Sequence, residues 1–125
     1  LSSSSAASDV YKRQADGYYE WKREDKSKIP YYFTKENDEI IFFAALYQNN
    51  QFCLITREAT EKVSAIHHRE PLIINQSQIN NYLNVKKDAM EILNSIKPPS
   101  LKFYEISKDV NNPINNDPTL TKPIN

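Results

Sequence analysis

Two short segments contain the residue types that move protons and hold phosphate. Residues 16–21 read Asp-Gly-Tyr-Tyr-Glu-Trp and set the Glu20 carboxylate among aromatic side chains. Residues 66–71 read Ile-His-His-Arg-Glu-Pro and place the Arg69 guanidinium two positions after the His67 imidazole. A charged group inside so aromatic a run is costly to desolvate unless it is paired or takes part in chemistry. If a sheet brings the two segments together, they form a site for acid–base chemistry beside a phosphate.

Both segments border runs that favour β-strands. The run at residues 39–47 is continuously apolar, which is the pattern of a strand buried on both faces. Asn49 and Asn50 tolerate positive φ and predict the next turn, and the charged stretch 23–28 predicts an exposed hairpin loop. The predicted strands span residues 17–22, 30–34, 39–47, 52–56, 72–74 and 101–106.

Two helices are predicted after the second segment. Ser77 can cap a helix that runs to about Asn84, and Asp88 can cap another that ends before Pro98. The tail from Asp109 is rich in Asn and Pro and predicts an extended loop. Short polar connections between the strands favour an antiparallel sheet or barrel wall. The predicted fold class is therefore α+β, mainly antiparallel and barrel-like, with two short helices.

Composition limits the classes of function. The 125 residues are 39% hydrophobic and 26% charged, which suits a single soluble domain. Sixteen basic and sixteen acidic residues cancel, so contact with nucleic acid must depend on a local patch of cations. A single cysteine excludes an internal disulfide and a cysteine-based metal cage, and no apolar run approaches the roughly twenty residues that span a membrane. We expect a cytoplasmic monomer that uses no cofactor, metal or membrane.

The first fourteen residues differ from the rest. Residues 1–14 form a Ser/Ala-rich stretch without apolar periodicity and without the long apolar region of a signal peptide. They resemble a translated sequencing-adapter string, and the alternative is a disordered native tail. The domain is therefore expected to begin at Ala15 and to span residues 15–125.

Several motifs in register resemble the SOS response-associated peptidase (SRAP) family, the proteins that crosslink to abasic sites. Members share a Gly-aromatic-aromatic-Glu-Trp segment, three strand motifs, an Ile-His-x-Arg-x-Pro segment and an Asn/Pro-rich end. Any one of these motifs is weak, but together they are specific. Here they occupy residues 17–21, 30–33, 43–46, 55–59, 66–71, 110–113 and 115–118.

The resemblance implies a reaction with abasic sites in single-stranded DNA. In the family, an N-terminal cysteine forms an imine with the ring-opened sugar and then closes a thiazolidine, and the same site is associated with self-cleavage. It implies that Glu20 transfers protons, that His67 steadies the sugar oxygen or the abasic-site hydroxyl, and that Arg69 holds the flanking phosphate. In the family about a hundred residues, the nucleophile among them, precede the Gly-aromatic-aromatic-Glu-Trp segment. They are expected to be missing here, so the chain resembles the C-terminal half of the domain and should not crosslink DNA. Family distribution and a composition rich in Lys, Asn and Ile favour a bacterial, nucleoid-associated protein.

The same residues allow less specific interpretations. Glu20 could face solvent on an edge strand, and His67 could be a satisfied structural residue. Trp21 could stack on a nucleobase, but a strand tryptophan is more often part of the core. The chain could accordingly be a non-catalytic single-stranded DNA-binding module, or a small α+β interaction protein that matches by chance.

Two positions depart from the family pattern. His68 stands where Asp is more frequent, and, in an extended segment, it should point away from the site that His67 enters. Glu70 stands where Met is usual, and it should compete with phosphate for the Arg69 guanidinium. A surface salt bridge from Arg69 to Glu70 or Glu58 is the corresponding structural interpretation. Cys53 lies in an apolar run and should be a buried, inert thiol.

Overall fold

The computed structural model describes residues 9–83 and 89–124. Every strand pairing among these residues is antiparallel. The strands are β1 (Asp9–Ala15), β2 (Tyr18–Glu24), β3 (Ser27–Lys35), β4 (Ile41–Gln48), β5 (Gln51–Leu54), β6 (Thr56–Glu58), β7 (Arg69–Pro71) and β8 (Leu101–Glu105). The α-helices are α1 (Glu61–Ser64), α2 (Ile79–Leu83) and α3 (Ala89–Ser95), and 3₁₀ turns lie at Gln76–Gln78, Lys108–Asn111 and Pro118–Thr121. The α+β class and its antiparallel character are confirmed.

The strands form three small sheets in the orders β1-β4-β5, β2-β3-β8 and β6-β7. In the first sheet β4 is central and is buried on both faces in its N-terminal part, as its apolar run predicts. Phe43 packs into one apolar cluster with Phe33, Val63 and Ile66, whereas the adjacent Ala44 packs into a second cluster. Neighbouring β4 residues thus serve two cores because strand side chains alternate between faces.

Tight turns in this chain use Asn and Asp in place of glycine. Asn49 and Asn50 have φ of 53° and 62°, which confirms the predicted turn. Asp25 and Asp38 also have positive φ. The single glycine, Gly17, serves another purpose, since a Cβ there would lie 2.5 Å from the Phe33 carbonyl oxygen and from the Tyr32 ring. It permits the close approach of β2 to β3.

Several predicted boundaries are wrong. The segment 52–56 is two strands, β5 and β6, and the strand predicted at 72–74 lies earlier, as β7, with only Ile73 forming an isolated bridge. The hairpin loop predicted at 23–28 shrinks to a turn at Asp25 and Lys26, because the flanking residues are paired. Ser77 lies inside a 3₁₀ turn that precedes α2, and the Asp88 cap lies outside the described residues.

Strand β1 includes residues 9–14, which belong to the segment expected to lie outside the domain. Its residues pair in continuous register with β4, from Asp9 opposite Tyr47 to Ala15 opposite Ile41. The pairing requires only backbone groups and a neighbour of strand conformation, which is why side-chain periodicity did not reveal it. The origin of residues 1–14 and the domain boundary at Ala15 stay predictions.

The prediction that Cys53 is buried is wrong. Cys53 is exposed, and so are all the residues of β5. Its neighbours Phe52 and Leu54 are 51% and 37% exposed. The strand lies at the edge of its sheet, so an apolar run there does not imply burial.

Candidate active site and nucleic-acid interface

Strand β2 aims Glu20 toward the interior face of its sheet. Register pairs Tyr18 with Phe33 and Glu20 with Tyr31, so these side chains lie on the same face. Tyr18 stacks on Phe33 with ring centroids 4.9 Å apart. Glu20 therefore extends an aromatic row to the point where the apolar cluster ends, and its side chain is 25% exposed.

The backbone of β2 also holds the Glu20 carboxylate. Trp21 lies opposite Pro30, whose carbonyl oxygen points away from β2 toward the other side of β3, so this pair is not hydrogen-bonded and the Trp21 N–H points toward the open edge of β2. That N–H donates to Glu20 Oε1 at 3.2 Å. Pro30 in turn accepts from the Ile106 N–H on its other side at 3.0 Å.

His67 is positioned by the short helix α1. Val63 and Ile66 are buried in the core, and the His67 N–H donates to the Val63 carbonyl oxygen at 3.1 Å. His67 Nδ1 lies 3.2 Å from both the backbone nitrogen and the carbonyl oxygen of Arg69, so either tautomer finds a partner. This contact leaves Nε2 facing outward.

The fold brings the two predicted catalytic residues together. His67 Nε2 lies 3.8 Å from Glu20 Oε1, and the His67 side chain is 33% exposed. An imidazole and a carboxylate at this separation form an ion pair when the imidazole is protonated, and they can share a proton with a third group placed between them. The arrangement suits a pair that moves protons on and off a bound ligand.

The pair opens into a cleft of about 1110 Å³. Its lining includes three cations that sequence reasoning did not single out, namely Lys22, Arg23 and Lys28. Arg23 and Lys28 face each other across the β2–β3 hairpin. This group of cations was missed because the sequence predicts a loop at 23–28, and only strand pairing places Arg23 and Lys28 side by side.

The expectation that His68 points away from the site is wrong. Both His67 and His68 line the cleft, and their rings stack with centroids 4.6 Å apart and an interplanar angle of 26°. The backbone bends at His68 and the strand begins only at Arg69, so strand alternation does not apply to this pair.

Trp21 lies half-buried on the opposite face of β2 and also lines the cleft. Its indole Nε1 donates to Asn111 Oδ1 at 2.6 Å. Asn111 belongs to the C-terminal motif at residues 110–113, and that motif was the only sequence signal for it. Tyr19 is the adjacent ring on this face, 6.4 Å from Trp21.

Arg69 follows His67 in sequence but does not line the cleft. Its side chain is directed across the β6–β7 hairpin, where Nη2 donates to Thr56 Oγ1 at 3.1 Å. The residue is exposed. Only its backbone contacts the site, through His67 Nδ1.

The expected competition of Glu70 for Arg69 is wrong. Glu70 is 3% exposed and lies on the other side of β7, where it accepts from Arg57 Nε at 3.2 Å and from Thr60 Oγ1 at 3.2 Å. Strand alternation separates neighbouring side chains, so Glu70 and Arg69 cannot meet. Arg57 also donates to the Ile96 carbonyl oxygen at 3.4 Å.

Tyr18 packs in the core, and its phenol is influenced by the carboxylates of Glu20 and Glu70. Its hydroxyl is buried and has no hydrogen-bond partner among residues 9–83 and 89–124. Burial, followed by the negative charges of Glu70 and Glu20, raises the pKa of the Tyr18 phenol well above its usual range. The phenol therefore stays protonated beside both carboxylates.

Comparison with known proteins identifies the family. A family profile described as SOS response associated peptidase (SRAP) matches residues 13–113. The chain belongs to the SRAP family. The motif resemblance is thereby confirmed, and the matched range contains Glu20, Trp21, His67 and Arg69.

SRAP relatives include proteins from bacteria and from eukaryotes. The chain is 32% identical over 120 residues to abasic site processing protein YoqW of Bacillus subtilis, a match that covers 85% of this chain and 54% of that one. It is 28% identical to abasic site processing protein YedK of Escherichia coli, with 88% and 55% covered. A crystal structure of a protein from Bacteroides thetaiotaomicron superposes with a TM-score of 0.79 at 26% identity, covering 92% and 56%. The chain spans about half the length of the curated relatives it matches.

In the described ranges, none of the helices combines the length and apolar content that crossing a bilayer requires. No group of three or more His, Cys, Asp or Glu side chains is clustered there in a way that could hold a metal ion.

Proposed function

We propose that this chain supplies the acid–base and DNA-contacting part of an abasic site processing protein. The whole protein would sense abasic sites in single-stranded DNA and form a covalent thiazolidine crosslink through an N-terminal cysteine that lies outside these 125 residues. The observation that supports this most is the convergence of Glu20 and His67, from separate elements, to 3.8 Å within one cleft. The names of the SRAP relatives support the same substrate.

Glu20 and His67 have the groups that the chemistry requires. Condensing an α-amine with the ring-opened aldehyde forms a C=N bond and releases one water, so a proton must reach the departing oxygen. The thiol then adds its sulfur to the imine carbon and its proton to the nitrogen, which closes the ring without any further reagent. Glu20 would transfer protons at the aldehyde and amine, and His67 would steady the sugar oxygen. The self-cleaving peptidase activity associated with the family would use the same carboxylate.

Cations around the cleft would hold the DNA backbone. Lys22, Arg23 and Lys28 supply the local patch that a chain of zero net charge requires. Arg69 would bind the flanking phosphate after releasing Thr56, because its planar fork suits bidentate contact. Trp21 would stack on a neighbouring base.

A non-catalytic single-stranded DNA-binding module is the second candidate. The cations and Trp21 favour it, since they would bind a strand whether or not a reaction follows. Binding alone does not survive denaturation, whereas a thiazolidine crosslink does. The two functions are therefore separable by one assay.

The test compares two proteins on a single-stranded oligonucleotide that carries one abasic site. The 125-residue chain should bind it and leave no adduct on a denaturing gel. A protein extended upstream through its own reading frame to a Met-Cys start should give a denaturation-stable adduct. Binding without an adduct from the extended protein would favour the second candidate, and an adduct from the 125-residue chain would contradict the proposed nucleophile.

We propose a cytoplasmic, nucleoid-associated monomer in a bacterium as the setting. Gel filtration of the extended protein, alone and with an oligonucleotide, tests the monomeric state. A single species of monomer mass is expected in both runs, apart from the added mass of bound DNA.

A further inference from the structure

The segment after β8 forms a closed loop that reaches the cleft. At its start, Ile106 is 1% exposed and its N–H donates to the Pro30 carbonyl oxygen at 3.0 Å. At its end, Pro123 forms a bridge back to Ile106, and the Ile124 N–H donates to the Glu105 carbonyl oxygen at 3.3 Å. Both ends of the loop 107–122 are thus tied to the same strand, as in compact Ω-loops.

Side chains inside this loop fix its shape. Ser107 Oγ accepts from the Asp109 N–H at 3.1 Å, and Asn115 Nδ2 donates to the Asp109 carbonyl oxygen at 2.8 Å. Asn112 Oδ1 accepts from the Ile114 N–H at 3.0 Å. These contacts are all internal to the loop, so they shape it without reaching the cleft.

Among the loop residues that line the cleft, Asn111 makes a hydrogen bond to a cleft side chain. Its Oδ1 accepts from Trp21 Nε1 at 2.6 Å, across 90 positions of sequence. The indole N–H is the one polar group of a tryptophan, and it can only donate. With that group engaged, Trp21 can offer a ligand only its π face and its apolar edges.

We propose that Asn111 is a positioning residue that fixes Trp21 as a stacking platform for a nucleobase. Recognition at this point would then depend on stacking, which every base supports, and not on a hydrogen bond from the indole. The inference rests on the proposed function, because it requires that single-stranded nucleic acid enters the cleft. It adds a residue of the C-terminal loop to the determinants of binding.

The chain offers a direct probe because it contains one tryptophan. In the ¹⁵N-labelled 125-residue chain, the single indole N–H resonance should move in Asn111→Ala, and its exchange with solvent should become faster. Asn111→Asp keeps an acceptor in place and should restore slow exchange. Asn112→Ala disturbs the same loop without touching Trp21, so its indole resonance should match that of the parent.

Binding is measured with oligo-dT and oligo-dA strands. Asn111→Ala should weaken the affinity for both strands by about fivefold, because part of the stacking interaction with Trp21 is lost. The dependence of affinity on salt should stay unchanged, because no phosphate contact is removed. In a Trp21→Leu background the same change should have no further effect, because the platform is gone. A role limited to loop stability would instead weaken binding equally in both backgrounds and in Asn112→Ala.

The outcomes separate the two proposals. If the parent chain binds neither strand, the proposed DNA contact fails, and the role of Asn111 fails with it. If the parent binds and Asn111→Ala binds equally well, only the positioning role is overturned. A persistent loss in the Trp21→Leu background also overturns it, since Asn111 would then act elsewhere.

Discussion

At the scale of single residues, the contact between Glu20 and His67 should be functional, because neither side chain is buried deeply enough to require a partner for its charge. Both side chains are partly exposed, so an ion pair between them contributes little to stability. Their backbone contacts, from Trp21 N–H and to Arg69, already hold them in place. What the pair adds is a place where a proton can be exchanged.

Glu20→Gln should therefore impair the reaction and spare binding. In a protein extended to the proposed Met-Cys start, adduct formation should slow by about a hundredfold or more, the usual contribution of general acid–base catalysis. Glu24→Gln is the matched control for the rate, because Glu24 lies on the same strand and does not line the cleft. Its loss frees Lys22, with which it pairs at 3.1 Å, so any effect should appear in affinity and not in the rate at saturating DNA. Rates come from denaturing gels over time, and affinities from fluorescence anisotropy. Equal rates for Glu20→Gln and Glu24→Gln would contradict the assigned role.

The ion pair between Arg57 and Glu70 should be more costly to break by replacing Arg57 than by replacing Glu70. Glu70 is 3% exposed and Arg57 is 26% exposed, so losing the arginine leaves the deeper charge without its ion partner. Arg57→Met should lower the free energy of unfolding by about 3 kcal/mol or more, whereas Glu70→Met, which leaves Arg57 able to reach water, should cost less. The double variant should recover part of the loss. Urea unfolding measures all three, and an equal cost for the two single changes would contradict this account.

At the scale of elements, the β2–β3 hairpin forms one side of the cleft and places its charged residues there. Pairing places Arg23 opposite Lys28, and Lys22 also lines the cleft. Each cation that contacts a phosphate releases counterions when a strand binds. The hairpin should therefore govern the salt dependence of DNA binding and leave the reaction chemistry alone.

Neutralising the hairpin cations should reduce that salt dependence. In Arg23→Gln and Lys28→Gln, the slope of log affinity against log salt should each fall by about 0.7, the value for one phosphate contact on single strands. Lys12→Gln is the control, because Lys12 lies on β1 over the Phe42 ring and does not line the cleft. Anisotropy titrations at several salt concentrations give the slopes. A slope that falls equally in the control would mean that the effect is not local.

The sequence predicted elements wherever a local rule decides the structure. Strand β4 follows from its apolar run, and the turn at Asn49 and Asn50 follows from the tolerance of Asn for positive φ. The rules failed where tertiary context decides. Cys53 lies at a sheet edge that no apolar pattern reveals, and His68 follows a bend that breaks strand alternation. In the same way, motif spacing singled out Glu20 and His67, but only register shows that Glu70 faces Arg57 and not Arg69.

At the scale of the whole molecule, Tyr18 links the site to the core, because its ring packs in the core and its hydroxyl is influenced by the charge of Glu20. Its ring packs between Phe33 and Phe43, and its buried hydroxyl has no hydrogen-bond partner in the described part of the chain. Burial and the charges of Glu70 and Glu20 raise the pKa of this phenol. Burial of this phenol, together with the charges of Glu70 and of the site residue Glu20, therefore influences the pH range over which the whole chain is stable.

The consequence is a loss of stability at alkaline pH. In the unfolded chain the Tyr18 phenol ionises near pH 10.0, whereas in the folded chain it stays protonated to higher pH. Below pH 10 both states hold the proton, so Tyr18 adds no pH dependence there. Above it the unfolded state binds fewer protons, and the free energy of unfolding falls by up to about 1.4 kcal/mol per pH unit.

Tyr18→Phe removes this loss while it keeps the ring and its stacking on Phe33. The variant should match or exceed the parent in stability near neutral pH, because it deletes a buried hydroxyl that lacks a partner. Its stability should fall less steeply above pH 10, although some fall remains, since burial also raises the pKa of Tyr32 and Tyr104. Urea unfolding across the alkaline range gives both curves. Parallel curves would mean that the Tyr18 hydroxyl ionises at the same pH in both states, and that it is neither buried nor close to the two carboxylates in solution.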